Sequence, residues 1–526
     1  MPGRREGKDL TSKAVTEIRR WLDECQDKHS SCPSRCNHPL PSRVIDLESQ
    51  TLRLHQSGPD EKGLYATLSY CWGGVAQLTT TTASLQDHLR SIDPTSLPKT
   101  ITDAVEVCRA IGLRYLWVDS LCIIQDDDND KIEQIALMGL IYKHSTLTIV
   151  AASAQKVTDG FLRDGKLNQP DIQLPFYVDQ ATTGTVYLRW LDPFETHTSA
   201  EPIFQRGWTY QEQLLSPRAL VFDSNQIMLK CLTDDYRPVF ETYLKMRANA
   251  SKLPNGVFGI VDKNLERGDT LQTREYYNMA TQDETWRRIV CDYSRRELSR
   301  FSDRLPALAG IAAELAVVWD DIYLAGFWGR TILHHLGWYR PRSMFSCFIK
   351  ETFEKNPFED VVDCKRRATG PTWSWATGPF SVMIYEVQKP DPKWVSSSVQ
   401  LISQKSPFGQ VRSASITLEA KVLNAAAALR EFTVEFPLGS LRGVPTWPPT
   451  YYLEDLIMFD FEEPNPDVEL CSLVYLGGSV GGLFLYVEQV EPGRYQRVGC
   501  ALLPDDRAHI WQDLLRVAQR EIIVIK

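Results

Sequence analysis

Cys25, His29, Cys32, Cys36 and His38 crowd together near the N-terminus. Thiolate sulfur and imidazole nitrogen are zinc ligands, but this spacing is not a Cys-x2-Cys pair and no second paired half is evident. Two readings stay open: a structural metal site, or a helix end and loop of thiols packed against a sheet. Asp126, Asp128 and Asp130 mimic the opening of a calcium loop. Lys131 stands where that loop needs glycine and Leu137 where it needs glutamate, so these acids read as a solvated helix start. Gly477-Gly-Ser-Val-Gly481 fits Gly-x-Ser-x-Gly, but Leu483-Phe-Leu-Tyr-Val487 follows as a strand where a nucleophile elbow needs a helix. A hairpin turn is the better reading. Arg295, Arg296, Arg300 and Arg304 form a basic stripe at helical spacing, by default solvated or paired within the chain. On residue type alone, Glu212 near a helix end reads as an ion-pair partner, Tyr70 and Trp72 as core aromatics, and Asp119 as a turn cap or a site residue.

These residues must be positioned by elements that the hydrophobic pattern outlines. A helix over about 13–25 precedes the Cys/His-rich loop. Residues 64 to 153 then alternate strand, helix, strand, helix, strand. Leu64 to Trp72 is a strand running into Gly73-Gly74. Ile101, Ala104, Val105, Cys108 and Ile111 mark one helix face, with Thr100 and Asp103 as a capping-box variant and Gly112 as the stop. Tyr115 to Val118 is a buried strand ending at Asp119. A helix over about 129–143 has Ile132, Ile135, Gly139 and Tyr142 on one face, and Thr146 to Ala152 is the third strand. This alternation implies a parallel sheet covered by helices. Ligands of such sheets bind beyond the carboxyl ends of the strands, where Tyr70 to Gly74, Asp119 to Cys122 and Ser153 fall. Residues 155–205 read as an insertion of short strands and loops, Arg206 to Arg218 as a short helix, and 250–285 as a linker or surface excursion.

The organisation expected is therefore 1–63, an N-terminal helix and Cys/His-rich segment; 64–220, the α/β domain; 221–370, mostly helical; and 371–526, β-rich. With 526 residues, 43% hydrophobic and 24% charged, the chain has material for more than one core. A net charge of -9 argues against a nucleic-acid partner. The N-terminus lacks an apolar leader and no window is apolar enough to span a bilayer, so a soluble cytoplasmic protein without membrane partners is expected. The twelve cysteines are too sparse for a secreted disulfide scaffold.

Several longer blocks carry a resemblance. They are Leu68-Ser-Tyr-Cys-Trp-Gly73, Leu97-Pro-Lys-Thr-Ile101, Tyr115-Leu-Trp-Val-Asp-Ser-Leu-Cys-Ile-Ile-Gln-Asp126, Met138, Ile141-Tyr142, Thr148-Ile-Val-Ala-Ala152 and Arg206-Gly-Trp-Thr-Tyr-Gln-Glu-Gln-Leu-Leu-Ser216. In this order they resemble the heterokaryon-incompatibility (HET) domain of filamentous fungi. Flanking segments also look like those of larger HET proteins: Tyr293 to Gly310, Tyr323-Leu-Ala-Gly326, Pro371-Thr-Trp-Ser-Trp375 and Arg497-Val-Gly499. The resemblance implies a role in self/non-self recognition and programmed cell death, and a core distantly similar to TIR domains. The fold class expected is thus α/β, a TIR-like parallel sheet flanked by helices, followed by a mixed helical and β-rich C-terminal region.

Some TIR domains cleave NAD with a glutamate on a helix carrying a Trp-Cys-x-x-Glu-like sequence. Trp208-Thr-Tyr-Gln-Glu212 looks like that element, with Thr209 in place of cysteine and a long insertion before it. By this similarity Glu212 is the candidate catalytic carboxylate. Breaking the nicotinamide–ribose bond passes through an oxocarbenium-like state that a carboxylate can stabilise. Neither metal nor bound cofactor is required, and NAD is the candidate substrate. The candidate binding residues are Tyr70 and Trp72 for ring stacking, Gly73 for backbone contact with a pyrophosphate, and Asp119, Arg206 and Trp208. The resemblance equally allows a non-catalytic module that associates with itself or with a protein partner.

Overall fold

The computed structural model describes residues 10–34, 37–48, 51–162, 172–177, 183–188, 201–224, 226–239, 251–260, 271–340, 370–387, 389–432, 457–460, 470–478, 482–503 and 508–526. The chain divides into two compact units, Met1–Asn264 and Leu265–Lys526.

The first unit is built on an eight-stranded sheet. Its strands are β1 (Arg43–Asp46), β2 (Arg53–Gln56), β3 (Tyr65–Ser69), β4 (Tyr115–Trp117), β5 (Leu147–Val150), β6 (Arg218–Phe222), β7 (Ile227–Cys231) and β8 (Arg237–Pro238), in the spatial order β8-β7-β6-β5-β3-β4-β1-β2. The central run β6-β5-β3-β4 is parallel, and β1, β2, β7 and β8 extend it antiparallel at both edges. Each parallel strand is buried along its length, as strands covered on both faces must be.

Its main helices are α1 (Ser12–Lys28), α2 (Lys99–Ile111), α3 (Asp128–His144) and α4 (Thr209–Leu215). The chain moves from β3 to β4 in one direction, then crosses back over β3 to β5 and on to β6. Right-handed crossovers therefore place α2 on one face and α3 and α4 on the other. The parallel strands follow the doubly wound order 2-1-3-4, with its switch point between β3 and β5. This agrees with the expected α/β class and parallel sheet. The insertion contains an antiparallel hairpin, Ile172–Tyr177 with Thr183–Leu188.

Local chemistry explains most boundaries. Gly112 ends α2 at φ 86°, a left-handed conformation that glycine adopts without a Cβ penalty. Asp127 caps α3 by accepting from Asn129 and Asp130 N–H groups. Asp126 binds Thr82, and Asp130 binds Arg43 and the Ile124 N–H, so these acids are structural. Two expectations shift. Thr100 and Asp103 lie inside α2 and do not cap it: Thr100 accepts from Gly160 N, and Asp103 accepts from the N–H groups of Phe161 and Leu162. On α3 the buried residues are Gln134, Met138, Gly139, Ile141 and Tyr142, while Ile132 is 40% exposed.

The second unit has α5 (Leu271–Ser294), α6 (Ala309–Trp319), α7 (Ala425–Phe432) and α8 (Ala508–Val517). The strands of its main sheet are β9 (Lys393–Leu401), β10 (Val411–Asn424), β11 (Ile457–Phe459), β12 (Cys471–Gly477), β13 (Gly482–Glu491), β14 (Arg494–Leu503) and β15 (Arg520–Ile525). Strands β10, β12, β13 and β14 pair in turn, and β15 joins β14 back to β10, closing a barrel-like ring. Strands β12 and β13 are antiparallel across the Gly-x-Ser-x-Gly segment, as a hairpin requires. The Pro371–Trp375 and Tyr323–Gly326 segments meet, since Trp286 and Trp375 both donate to the Gly326 carbonyl. The arginine stripe is not one helix face: α5 stops at Ser294, and Arg304 is buried, donating to the Phe380 carbonyl. Among the described residues no helix is long and apolar enough to cross a membrane.

Candidate functional site: a buried carboxylate at the strand switch point

Side chains alternate along β3, so Tyr65, Thr67 and Ser69 share one face. Tyr65 donates to the Ile141 carbonyl on α3 at 2.7 Å, and Thr67 meets Thr148 of β5 at 2.7 Å, which places this face under α3 and α4. Ser69 therefore leaves the end of β3 toward α4, where Glu212 sits. Glu212 is 7% exposed. Burial pushes its carboxyl up to about 7, and the negative charge of Asp119 acts in the same sense. The Ser69 hydroxyl, Arg206 and the Tyr142 hydroxyl oppose this by favouring the charged form. Arg218, six residues on, is not an ion-pair partner for Glu212, because it donates to Cys25 Sγ and to the Pro33 carbonyl.

Asp119 follows β4 and opens the short helix Asp119–Cys122. Its Oδ1 accepts from Ser120 N at 2.7 Å and its Oδ2 from Trp72 Nε1 at 2.9 Å. Burial raises this carboxyl too, against the stabilising influence of Tyr70, Trp72 and Arg206. Both carboxyls are thus raised chiefly by burial, Asp119 adds to the rise at Glu212, and one arginine moderates both. Tyr70 is 4% exposed, so it offers no ring face; its hydroxyl donates to Gln77 at 3.3 Å and acts on Asp119. Trp72, Asp119, Arg206 and Trp208 are each partly exposed.

Thr209 explains itself. Its hydroxyl bonds the carbonyls of Ile203 at 2.6 Å and Arg206 at 2.9 Å, tying the start of α4 to the preceding turn. Gly73 is left-handed at φ 75°, and a Cβ there would lie 2.6 Å from the Lys156 Cα. Its backbone is packed against the 155–160 loop. Gly74, at φ 66°, has open space around it.

Tyr70, Trp72, Asp119, Arg206 and Glu212 are thus brought into one electrostatic group. Gly73 stands at its margin, and Trp208 at the start of α4. Ser69, Cys71 and Tyr142 were not singled out from sequence. Ser69 and Cys71 flank Tyr70, and Tyr142 ends the Ile141-Tyr142 block, so their motifs were visible and their roles were not. Arg206 also acts on the Cys71 thiol, which burial pushes up. Tyr142 donates to the Leu68 carbonyl at 3.1 Å and feels the charge of Glu212.

Of the N-terminal Cys/His residues, Cys25, His29 and Cys32 lie together and are joined by Cys231 from the end of β7. His38 is elsewhere, stacked on His144 with ring centroids 4.3 Å apart. Cys36 lies outside the described residues.

A doubly wound α/β domain with a buried and a half-buried carboxyl at its switch point is a ligand-site architecture. Residues 65–212 match the family model described as Heterokaryon incompatibility protein (HET). The chain carries a HET domain, and the matched segment opens on the first residue of β3 and closes on Glu212. The match supports a heterokaryon-incompatibility-type role. No curated protein and no solved structure matches the chain.

Proposed function

We propose that the HET domain is the effector of a cell-killing incompatibility response and acts by cleaving the nicotinamide–ribose bond of NAD. The observation that carries this reading is Glu212, a buried carboxyl held near neutrality beside Asp119 and Arg206 at the carboxyl ends of parallel strands. The likeness of Trp208–Glu212 to the glutamate helix of TIR domains supports it. In the reaction, nicotinamide leaves with the bonding pair and becomes neutral. Glu212, ionised, stabilises the positive charge that develops on the ribose. Water then adds to the anomeric carbon and releases its proton to solvent, giving ADP-ribose. Trp72, its indole N–H already committed to Asp119, presents a ring for stacking, and Arg206 supplies charge toward the phosphates.

The purified chain, tested concentrated and crowded, should release nicotinamide from NAD. Glu212→Gln should reduce that rate by at least about 100-fold, typical of losing a catalytic acid–base or charge-stabilising group. Because the ionised form is needed, the rate should rise with pH through about 7. Full activity in Glu212→Gln would defeat the reading.

A second reading has its own observation. Helix α3 exposes Ile132, Leu137 and Leu140 at 40%, 41% and 40%, an apolar stripe suited to self-association. If Glu212→Gln still kills cells on overexpression while Leu140→Lys does not, the domain signals by assembly without catalysis.

A further inference from the structure

We propose that Cys25, His29, Cys32 and Cys231 form a structural zinc site that fastens α1 to the edge of the sheet through β7. The ligand atoms of these residues all lie within 4.8 Å of one another. His29 Nδ1 is 3.4 Å from Cys231 Sγ and 3.9 Å from Cys32 Sγ. A tetrahedral zinc with Zn–S of about 2.3 Å and Zn–N of about 2.0 Å sets its ligand atoms about 3.5–3.8 Å apart. The two His29 contacts bracket these values, and the whole set is near enough for a Cys3His shell to close around one ion. Cys25, Cys32 and Cys231 are all buried, at 0%, 8% and 4% exposure.

The surroundings are those of thiolates. Arg218 is 2% exposed, and its Nε points at Cys25 Sγ from 3.1 Å. Among the described residues it has no carboxylate within ion-pairing distance. A buried guanidinium needs a negative partner, and three thiolates around Zn²⁺ with a neutral imidazole carry a net charge of −1. Arg218 cancels it. The Asp234 N–H donates to Cys231 Sγ at 3.1 Å, and the Thr233 hydroxyl lies 3.6 Å from Cys32 Sγ. His29 turns Nδ1 to the cluster and Nε2 toward the Asp234 carboxylate 3.9 Å away, at ion-pair rather than hydrogen-bond distance, on the side where a metal-bound histidine commonly has a carboxylate. Trp21 holds Asp234 in turn at 3.2 Å. Soft sulfur donors with imidazole select zinc over hard cations, and loading releases the thiol protons to solvent.

The test uses the full-length chain purified under reducing conditions. Elemental analysis should find about one zinc per chain after gel filtration, as a closed structural site retains its metal. Cys32→Ser and Cys231→Ser should lose the zinc, whereas Cys291→Ser should keep it. If ligand variants fail to fold, the wild-type chain decides. Cobalt substitution should give thiolate-to-metal charge-transfer and tetrahedral d–d bands, and Arg218→Met should weaken zinc affinity by about 10–100-fold. A wild-type chain that is folded, reduced and zinc-free, and does not take up zinc, overturns the proposal. So does a chain purified without reductant and lighter by two hydrogens, with a disulfide mapped within the cluster and no zinc bound on reduction.

Discussion

Glu212 binds its proton more tightly in the folded chain than in the unfolded one, where glutamate titrates near its ordinary range. The sign of the pH effect follows. The stability this group contributes is complete at acidic pH and is lost as pH rises through about 7. A displacement of this size corresponds to about 3 kcal/mol. Glu212→Gln, which keeps the shape without the charge, should therefore stabilise the chain by about 2–3 kcal/mol at about pH 8 and by little at about pH 5. Urea denaturation at both pH values measures it, and an equal effect at both would contradict the burial argument. Asp119→Asn should move the Glu212 midpoint below about 7, because it removes the negative charge that raises it. Infrared or NMR titration of the carboxyl would read this directly.

At the scale of elements, the parallel strands were legible because each is a short apolar run closed by turn residues. The carboxyl-edge position of Tyr70, Trp72 and Asp119 came with them. Helix α3 was legible in extent but not in face. It carries apolar residues nearly all round, and a polar residue, Gln134, occupies a buried position by donating to Ser42 at 3.1 Å. Periodicity has no means of foreseeing such a partner. The roles of Thr100 and Asp103 escape local sequence for a similar reason, since the N–H groups they serve belong to a loop about sixty residues away. The fourth member of the Cys/His cluster, Cys231, lies on the far side of the insertion, where no local spacing rule reaches. The glycine loop after β3 gives a paired prediction. Gly73→Ala meets both a left-handed backbone and the Lys156 Cα, and should cost about 2–4 kcal/mol. Gly74→Ala meets only the backbone term and should cost about 1–2 kcal/mol. Comparable losses in thermal denaturation would show that the 155–160 loop yields easily.

The largest features were the least legible from sequence. That 371–526 is β-rich was readable, but not that β15 closes the ring between β14 and β10. Closure depends on a pairing between β10 and the end of the chain, about a hundred residues apart. Inside that unit Arg497 is fully buried. It binds Asp460 at 2.9 Å, donates to the Leu336 carbonyl at 2.6 Å, and lies 3.6 Å over the Trp338 ring. Removing one partner of a buried pair strands the other charge, so Arg497→Ala should cost about 3–5 kcal/mol. Faster limited proteolysis within 265–526 would register it; unchanged resistance would show that Asp460 simply takes up a proton.

The joining of α1 to β7 also sets an order of events during synthesis. Cys25, His29 and Cys32 leave the ribosome about two hundred residues before Cys231 does. At roughly 5–20 residues per second, that is an interval on the order of ten to forty seconds. Through it the first helix has its sulfur groups but not the strand that completes their shell. The N-terminus of this chain is thus made first and secured late, and nascent chains arrested before residue 231 should leave those two thiols open to alkylation.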